Sequence, residues 1–152
     1  MMIHYSDASN IDLYDIEAHS QRTNGLPCGL WLSYGNWYSF DGKYRKYKYI
    51  FEFNRTHKIL SIDISSIDSI LSSIDDYPSQ MIHNIDWTKV QKDYDGVMFE
   101  NVEGAYYPQF NTNTGFWINS LYVSSLCVFS PTRCGIITRT IPYNLRNPHR
   151  KN

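Results

Sequence analysis

Residues 27–38 concentrate the side chains that could hold a flat ligand, and they read PCGLWLSYGNWY. The segment contains two tryptophans, two tyrosines and two glycines. Aromatic rings stack on planar groups, and glycines let a backbone approach a ligand closely. The pattern therefore indicates a surface for a flat ligand, with a core strand followed by a turn as the alternative interpretation.

Nucleophilic and metal chemistry find less support in the sequence. Cys28 is a possible nucleophile, but none of the five histidines stands beside it in a local signature. The three cysteines contain no CxxC pair, so we expect reduced, buried thiols and neither a disulfide framework nor a zinc site. The histidines are scattered, so no metal ligands are assigned. There is also no P-loop and no GxGxxG motif.

Length and composition indicate one domain. The chain has 152 residues, of which 42% are hydrophobic and 16% aromatic, enough for one core. We assign residues 1–142 to that domain and 143–152 to a basic, frayed tail. A net charge of −1 argues against general nucleic-acid binding. No signal peptide or membrane span is visible, so we expect a cytoplasmic protein without a membrane partner.

Hydrophobic periodicity predicts strands interspersed with two short helices. Strands are expected at residues 3–6, 29–33, 44–53, 58–63, 97–100, 116–130 and 135–141, with a break near Asn119 as the alternative for the segment at residues 116–130. Ser65 or Ser66 should cap a helix with apolar residues at 67, 70, 71 and 74, and Asp86 should cap a second helix at residues 87–94. Asp95 is expected to form a turn, and residues 107–115 a polar loop. Without regular βαβ alternation, the pattern predicts an α+β fold.

Four short motifs, taken in order, resemble the ADP-ribosyltransferase fold in its diphtheria-toxin and poly-ADP-ribose-polymerase branch. They are His4-Tyr5-Ser6, Gly29-Leu30-Trp31-Leu32-Ser33, Tyr94-Asp95-Gly96-Val97 and Ser125-Leu126-Cys127-Val128-Phe129. The resemblance implies a split antiparallel β-sheet core with short helices. It also implies NAD as the cofactor, consumed as a substrate.

The resemblance implies a role for each matching residue. His4 would hold the adenosine ribose of NAD, and Trp31 would stack on nicotinamide. Trp37 or Tyr38 would supply the second ring of the sandwich. The implied NAD-binding set is His4, Tyr5, Ser6, Gly29, Leu30, Trp31, Ser33, Trp37 and Tyr38. Aromatic stacking suits nicotinamide because its ring in NAD⁺ is a flat cation.

One departure from the pattern concerns catalysis. The late glutamate that polarises the nicotinamide ribose in this branch falls on Ser125, which carries no negative charge. The protein would then bind without catalysis, or use a neutral residue for mono-ADP-ribosyl transfer, or use a carboxylate elsewhere. Glu100 or Glu103 is that carboxylate, and Glu100 is preferred because it ends the strand of the Asp-Gly-Val motif. The candidate catalytic set is His4, Trp31, Glu100 and Ser125.

The chain also resembles a family of small uncharacterised proteins of large DNA viruses, phages and bacteria. That similarity covers roughly residues 3–137 and includes the Gly-Leu-Trp-Leu-Ser and Tyr-Asp-Gly-Val motifs; a viral protein would work in the host cytoplasm.

Three functions follow as expectations. The first is NAD-dependent transfer of ADP-ribose to a macromolecular acceptor, expected to be a protein. The alternative is a catalytically inactive module that binds a nucleotide, ADP-ribose or a protein through the same cleft. The third is a hydrolase that uses Cys28.

Overall fold

The computed structural model describes residues 2–34, 45–54, 56–105, 107 and 117–140. Within them seven strands form one sheet in the order β4-β5-β6-β2-β1-β3-β7. The strands are β1 (Met2–Ser6), β2 (Leu30–Ser33), β3 (Tyr47–Phe53), β4 (Ile59–Asp63), β5 (Gly96–Glu100), β6 (Ser125–Val128) and β7 (Gly135–Arg139). The predicted α+β class is confirmed.

Two details of the predicted sheet are wrong. The sheet is mixed, because β4 and β5 run parallel while every other neighbouring pair is antiparallel. The strand expected at residues 116–130 is also shorter, and the chain departs from it around Asn119, as the alternative with a break there predicted. A 3₁₀ helix occupies Trp117–Ser120, and only Ser125–Val128 joins the sheet. Trp117 and Ile118 are buried in that helix, so burial alone did not distinguish it from a strand.

Helices α1 (Ile67–Asp76) and α2 (Trp87–Asp93) confirm the two predicted helices. Ser66 caps α1 by accepting a hydrogen bond from the amide of Ser69, and Asp86 caps α2 through the amide of Thr88. A four-residue helix, α3 (Pro131–Cys134), leads into β7, and a short 3₁₀ helix lies at Ala18–Ser20. No helix among the described residues is long and apolar enough to cross a bilayer.

Apolar clusters cover both faces of the sheet. We call the first cluster the helix-side core, since α1 and α2 contribute Ile70, Trp87 and Val90 to it. On the opposite face lies the second cluster, which we call the strap-side core after the irregular segment at residues 7–17 that packs against it. Its buried members come from the five inner strands of the sheet and from α3: Met2, Leu32, Phe51, Met98, Leu126, Val128 and Cys134. Leu13, from the irregular segment after β1, packs against this second core.

The sheet is weakly joined between β1 and β2. Among the described residues, Ile3 with Ser33 is the one registered pair between these strands, whereas the other neighbours share four or five pairs each. The seam therefore divides the sheet into a group of four strands (β4, β5, β6 and β2) and a group of three (β1, β3 and β7).

Asp95, expected to be a turn former, is a buried structural anchor. Its carboxylate accepts a hydrogen bond from the amide of Lys58 at 3.0 Å and forms an ion pair with Arg133. Its carbonyl oxygen accepts the amide of Phe129 at 2.7 Å. The hydrogen bond with Asp95 raises the pKa of the Arg133 guanidinium, so the ion pair persists as pH rises. Asp95 thus ties together β4, β5 and α3.

Candidate functional site

His4 lies at the seam and takes the place of a strand-to-strand hydrogen bond. Its Nδ1 lies 2.8 Å from the carbonyl oxygen of Trp31. A continued antiparallel ladder would pair Tyr5 with Trp31 after Ile3 with Ser33. That pair is missing from the register, and the imidazole satisfies the carbonyl instead. The strands therefore part where the first sequence motif meets the second.

The hydrogen bond also determines which nitrogen of His4 can meet a ligand. A carbonyl oxygen only accepts, so Nδ1 carries the hydrogen and donates it. No second hydrogen bond of His4 is found with the residues that the structure describes. Nε2 is therefore the ring nitrogen that remains for a ligand. The Tyr49 ring lies 6.3 Å from the His4 ring, centroid to centroid.

Tyr49 is a rigid neighbour for His4. It is 2% exposed, and its hydroxyl donates a hydrogen bond to the carbonyl oxygen of Ala8. Burial raises the pKa of the Tyr49 phenol, so the hydroxyl keeps its proton and the bond over a wide pH range. His4 is thereby held between a backbone carbonyl on one side and a fixed ring on the other.

Strand alternation separates the rings of His4 and Trp31. His4 is registered with Tyr49 and shares its face with Met2, which belongs to the strap-side core. Trp31 packs against the helix-side core. Its ring is stacked on Phe99, with centroids 5.8 Å apart and planes 12° from parallel. The structure therefore brings the two motifs together through a backbone carbonyl, and not through their rings.

Ser125 is buried among backbone groups. It is 0% exposed, as is Ser33, its partner in the register between β2 and β6. The Ser125 hydroxyl donates to the carbonyl oxygen of Val123 at 2.6 Å. Its hydrogen is therefore committed to the backbone, and the position offers neither a charge nor an accessible hydroxyl.

Glu100, the preferred alternative carboxylate, lines an open cavity of about 340 Å³. Tyr34, Met98, Asn101, Glu103 and Ser124 complete the lining. The Glu103 carboxylate accepts hydrogen bonds from the amide and the hydroxyl of Ser124, both at 2.9 Å. Glu100 itself is exposed. The cavity thus places an accessible carboxylate close to an aromatic ring.

Glu100 and His4 share one face of the sheet. Met98 belongs to the strap-side core, and Glu100 follows it by two residues on β5, so the alternation puts both on that face. His4 lies on the same face of β1, three strands away in the order β5-β6-β2-β1. At the usual strand spacing the lateral separation is about 14 Å.

Sequence reasoning missed Tyr34. It directly follows β2, is 57% exposed and lines the same cavity as Glu100. The signal was present in the alternation: Leu30 and Leu32 share one face of β2, Trp31 occupies the other, and Tyr34 continues the face of Leu32 just past the end of the strand. Counting from Leu32, a core residue at 0% exposure, would have selected Tyr34 as the ring on the His4 face.

The remaining candidates fall into three groups. Trp37 and Tyr38 lie outside the described residues. Tyr5 and Ser6 end β1 beyond the seam, and both are half-buried. Leu30 begins β2, and Gly29, directly before it, is packed against β6. Gly29 therefore allows β2 and β6 to lie close together.

The three cysteines are free, and Cys127 and Cys134 are buried. Burial raises the pKa of the Cys127 thiol well above its usual value. Cys28 is half-buried, and Gln21 hydrogen-bonds both its amide and its carbonyl oxygen. The Cys28 thiol contacts no histidine in the described part of the chain. The structure therefore offers no activated thiol for a hydrolase, and no group of three or more potential metal ligands is found in that same part.

Comparisons with protein-family models, with curated protein sequences and with solved structures each find no match to this chain. Its function is therefore inferred from its own residues and their geometry.

Proposed function

We propose that this protein binds NAD on the strap-side face of the sheet and transfers its ADP-ribose to a macromolecular acceptor. The observation that carries the proposal is the placement of His4, Tyr34 and Glu100 on one face. The imidazole and the carboxylate are separated by the width of three strands. The resemblance to ADP-ribosyltransferases supplies the type of ligand.

Each residue has a role that its chemistry allows. Nε2 of His4 contacts the adenosine ribose, because Nδ1 is engaged with the carbonyl oxygen of Trp31. Tyr34 stacks on the nicotinamide cation, an attraction of about 1 kcal/mol at an exposed ring. Glu100 stabilises the positive charge that develops on the ribose when the bond to nicotinamide breaks. Nicotinamide departs with the bonding electrons, and the acceptor's nucleophile takes its place.

Ser125 motivates a second candidate, a binding module without transferase activity. The position expected to hold a glutamate is a serine that is 0% exposed and bonded to the backbone. If Glu100 does not act on the ribose, the same face would still hold a nucleotide or ADP-ribose. Affinity for NAD without release of nicotinamide distinguishes this candidate from the transferase.

Histidine substitution tests the NAD site. In the variant His4→Asn the amide nitrogen takes the place of Nδ1 and keeps a donor for the Trp31 carbonyl, while Nε2 is lost. We expect NAD affinity, measured by titration calorimetry, to fall about tenfold, as for one lost hydrogen bond to a polar ligand. His57→Asn is the matched control, because His57 also donates from Nδ1 to a backbone carbonyl, that of Asn54, at 2.7 Å. Equal affinities for both variants and the unchanged protein would refute the site.

Glutamate substitution tests the transfer step. Glu100→Gln keeps the size of the side chain and removes the charge, so we expect nicotinamide release to drop at least about a hundredfold with NAD affinity nearly unchanged. Glu52→Gln, on an exposed position of β3, is the control. Unaltered release from Glu100→Gln would exclude the catalytic role of Glu100, and absent release from the unchanged protein would favour the binding module.

A further inference from the structure

Residues 7–17, which we call the strap, connect β1 to the short helix at Ala18–Ser20 without any helix or strand of their own. Irregular segments of this length in a compact domain commonly serve as lids or binding loops. The strap crosses the face that carries His4, since Leu13 packs against the strap-side core. A ligand that binds on that face must therefore get past the strap.

Both ends of the strap are fastened by hydrogen bonds. At the first end, the carbonyl oxygen of Ala8 accepts from the hydroxyl of Tyr49, and that of Ser9 accepts from Arg139 at 2.6 Å. At the second end, the Asp15 carboxylate accepts from the Thr132 amide at 3.0 Å and from its hydroxyl at 2.6 Å.

That second end has a further anchor in the backbone. The amide of Ile16 donates to the carbonyl oxygen of Phe129 at 2.8 Å. The side-chain partners of the strap lie on β3, β7 and α3, and Phe129 directly follows β6. Neither end of the strap can therefore move without disturbing the sheet or the chain packed on it.

The middle of the strap is held only by apolar contact. Residues 10–14 form no hydrogen bond or ion pair with any residue that the structure describes. Leu13 is half-buried, while Tyr14 is 71% exposed. A cavity of about 100 Å³ lies between this stretch and the sheet. Its lining is Ile11, Asp12, Leu13, Tyr14 and Ile16 of the strap together with Gly29, Leu30 and Pro131.

We propose that residues 10–14 are a lid that lifts from the sheet, about its two fastened ends, to admit a nucleotide to the His4 face. The inference rests on the proposed NAD site and adds the route by which the ligand enters. Lifting breaks the apolar contact of Leu13 and no hydrogen bond, so it costs little compared with unfolding. The cavity below shows that the lid is not tightly packed in its closed position.

Two measurements test the lid. The first is hydrogen exchange of the unchanged protein, followed by mass spectrometry with and without NAD. The second is the rate of NAD association, followed by stopped-flow tryptophan fluorescence, for the unchanged protein and for Leu13→Ala. Leu71→Ala, the same substitution at a 36% exposed position of α1, is the matched control.

We expect amides in residues 10–14 to exchange faster than those of Ala8 and Ile16, which donate to the Ser6 hydroxyl and to the carbonyl oxygen of Phe129, and NAD to slow them. Leu13→Ala enlarges the open fraction, so the association rate should rise about tenfold, while Leu71→Ala leaves it unchanged. Binding of NAD to Leu13→Ala but not to the unchanged protein would also support a lid.

Different results would overturn the lid proposal and the NAD-site proposal. NAD binding at the same rate to Leu13→Ala and the unchanged protein would overturn the lid and leave the site intact. Exchange in residues 10–14 as slow as at the hydrogen-bonded amides of Ala8 and Ile16 would also overturn it, even if Leu13→Ala did not fold. Binding of NAD to neither protein would overturn both proposals.

Discussion

Gly29 leaves no room for a side chain between β2 and β6. A methyl group added there would lie 2.6 Å from the sulfur of Cys127 and 2.6 Å from the carbonyl oxygen of Val128. The second contact is with backbone, which cannot move without displacing the strand. Gly104 differs, because a methyl group there meets nothing within 4 Å, but its φ of +81° is unfavourable for other residues.

The substitution Gly29→Ala should therefore lower the free energy of unfolding by about 2–3 kcal/mol through overpacking. Gly104→Ala should cost only about 1 kcal/mol, which is the backbone penalty alone. Urea unfolding followed by circular dichroism gives both values. Equal losses at the two positions would show that the strands adjust to the added group.

Ionisation of the Tyr77 phenol makes the free energy of unfolding depend on pH in the alkaline range. Burial, followed by the hydrogen bond from its hydroxyl to Asp93 at 2.9 Å, raises its pKa from 10.0 to about 12. Between these values the unfolded chain loses the phenolic proton and the folded protein retains it. The unfolded state thus binds fewer protons, and stability falls as pH rises.

Replacing Tyr77 by phenylalanine should remove part of this dependence. We expect the midpoint of thermal unfolding to fall less steeply for Tyr77→Phe than for the unchanged protein between pH 10 and about 12. Below that window the two curves should run parallel. Parallel curves inside the window as well would mean that the Tyr77 phenol ionises equally easily in both states.

At the scale of elements, the two helices owe their first turns to different caps. The Asp86 carboxylate accepts from both the amide of Thr88 at 3.0 Å and its hydroxyl at 2.5 Å. The Ser66 hydroxyl accepts one hydrogen bond, from the amide of Ser69 at 3.3 Å. A charged, doubly bonded cap also interacts favourably with the helix dipole.

Removal of these caps should have unequal effects. Asp86→Ala is expected to lower the free energy of unfolding by about 1–2 kcal/mol, and Ser66→Ala by about 0.5–1 kcal/mol. Chemical denaturation measures both. The reverse order would indicate that α2 depends mainly on the burial of Trp87 and Val90, both 0% exposed, and little on its cap.

Both helices were predictable because their signals are local. Ser66 and Asp86 each precede apolar residues at helical spacing, and the structure confirms the two caps. The segment at residues 116–130 was not predictable in the same way. Trp117 and Ile118 are apolar neighbours in either a strand or a 3₁₀ helix, and tertiary contacts decide between them. The indole of Trp117 donates to the carbonyl oxygen of His83 at 2.9 Å, a partner distant in sequence.

At the scale of the whole molecule, the two groups of strands on either side of the seam differ in how much buried core they contain. The helix-side core draws its residues from β2, β4, β5, β6, the segments around α1 and α2, the turn after β5 and the 3₁₀ helix at Trp117–Ser120, and no described residue of β1, β3 or β7 belongs to it. In that core Trp87 packs edge-on against Phe99 and Trp117, with centroids 5.8 and 5.9 Å apart. Among the described residues the two halves join at the one registered pair of Ile3 with Ser33, at the hydrogen bond from His4 to the Trp31 carbonyl oxygen, and through the strap-side core.

The weaker half should open first. Native-state hydrogen exchange is expected to give lower opening free energies for amides of β3 and β7 than for those of β5 and β6, by about 2 kcal/mol or more. Fewer buried contacts and a single-pair seam are the physical reasons. Identical protection in all four strands would show that the sheet unfolds as one unit and that the seam has no energetic consequence.

Taken alone, the sequence determined the fold class, the two capped helices and most strands, because these depend on periodicity and on capping within a few residues. It also selected His4, Trp31 and Glu100 as candidates. Only the tertiary structure decided that His4 bonds to the Trp31 backbone, that Trp31 faces Phe99, and that Tyr34 accompanies Glu100. Which face a side chain occupies depends on strand register, and register is set by contacts between residues far apart in the chain.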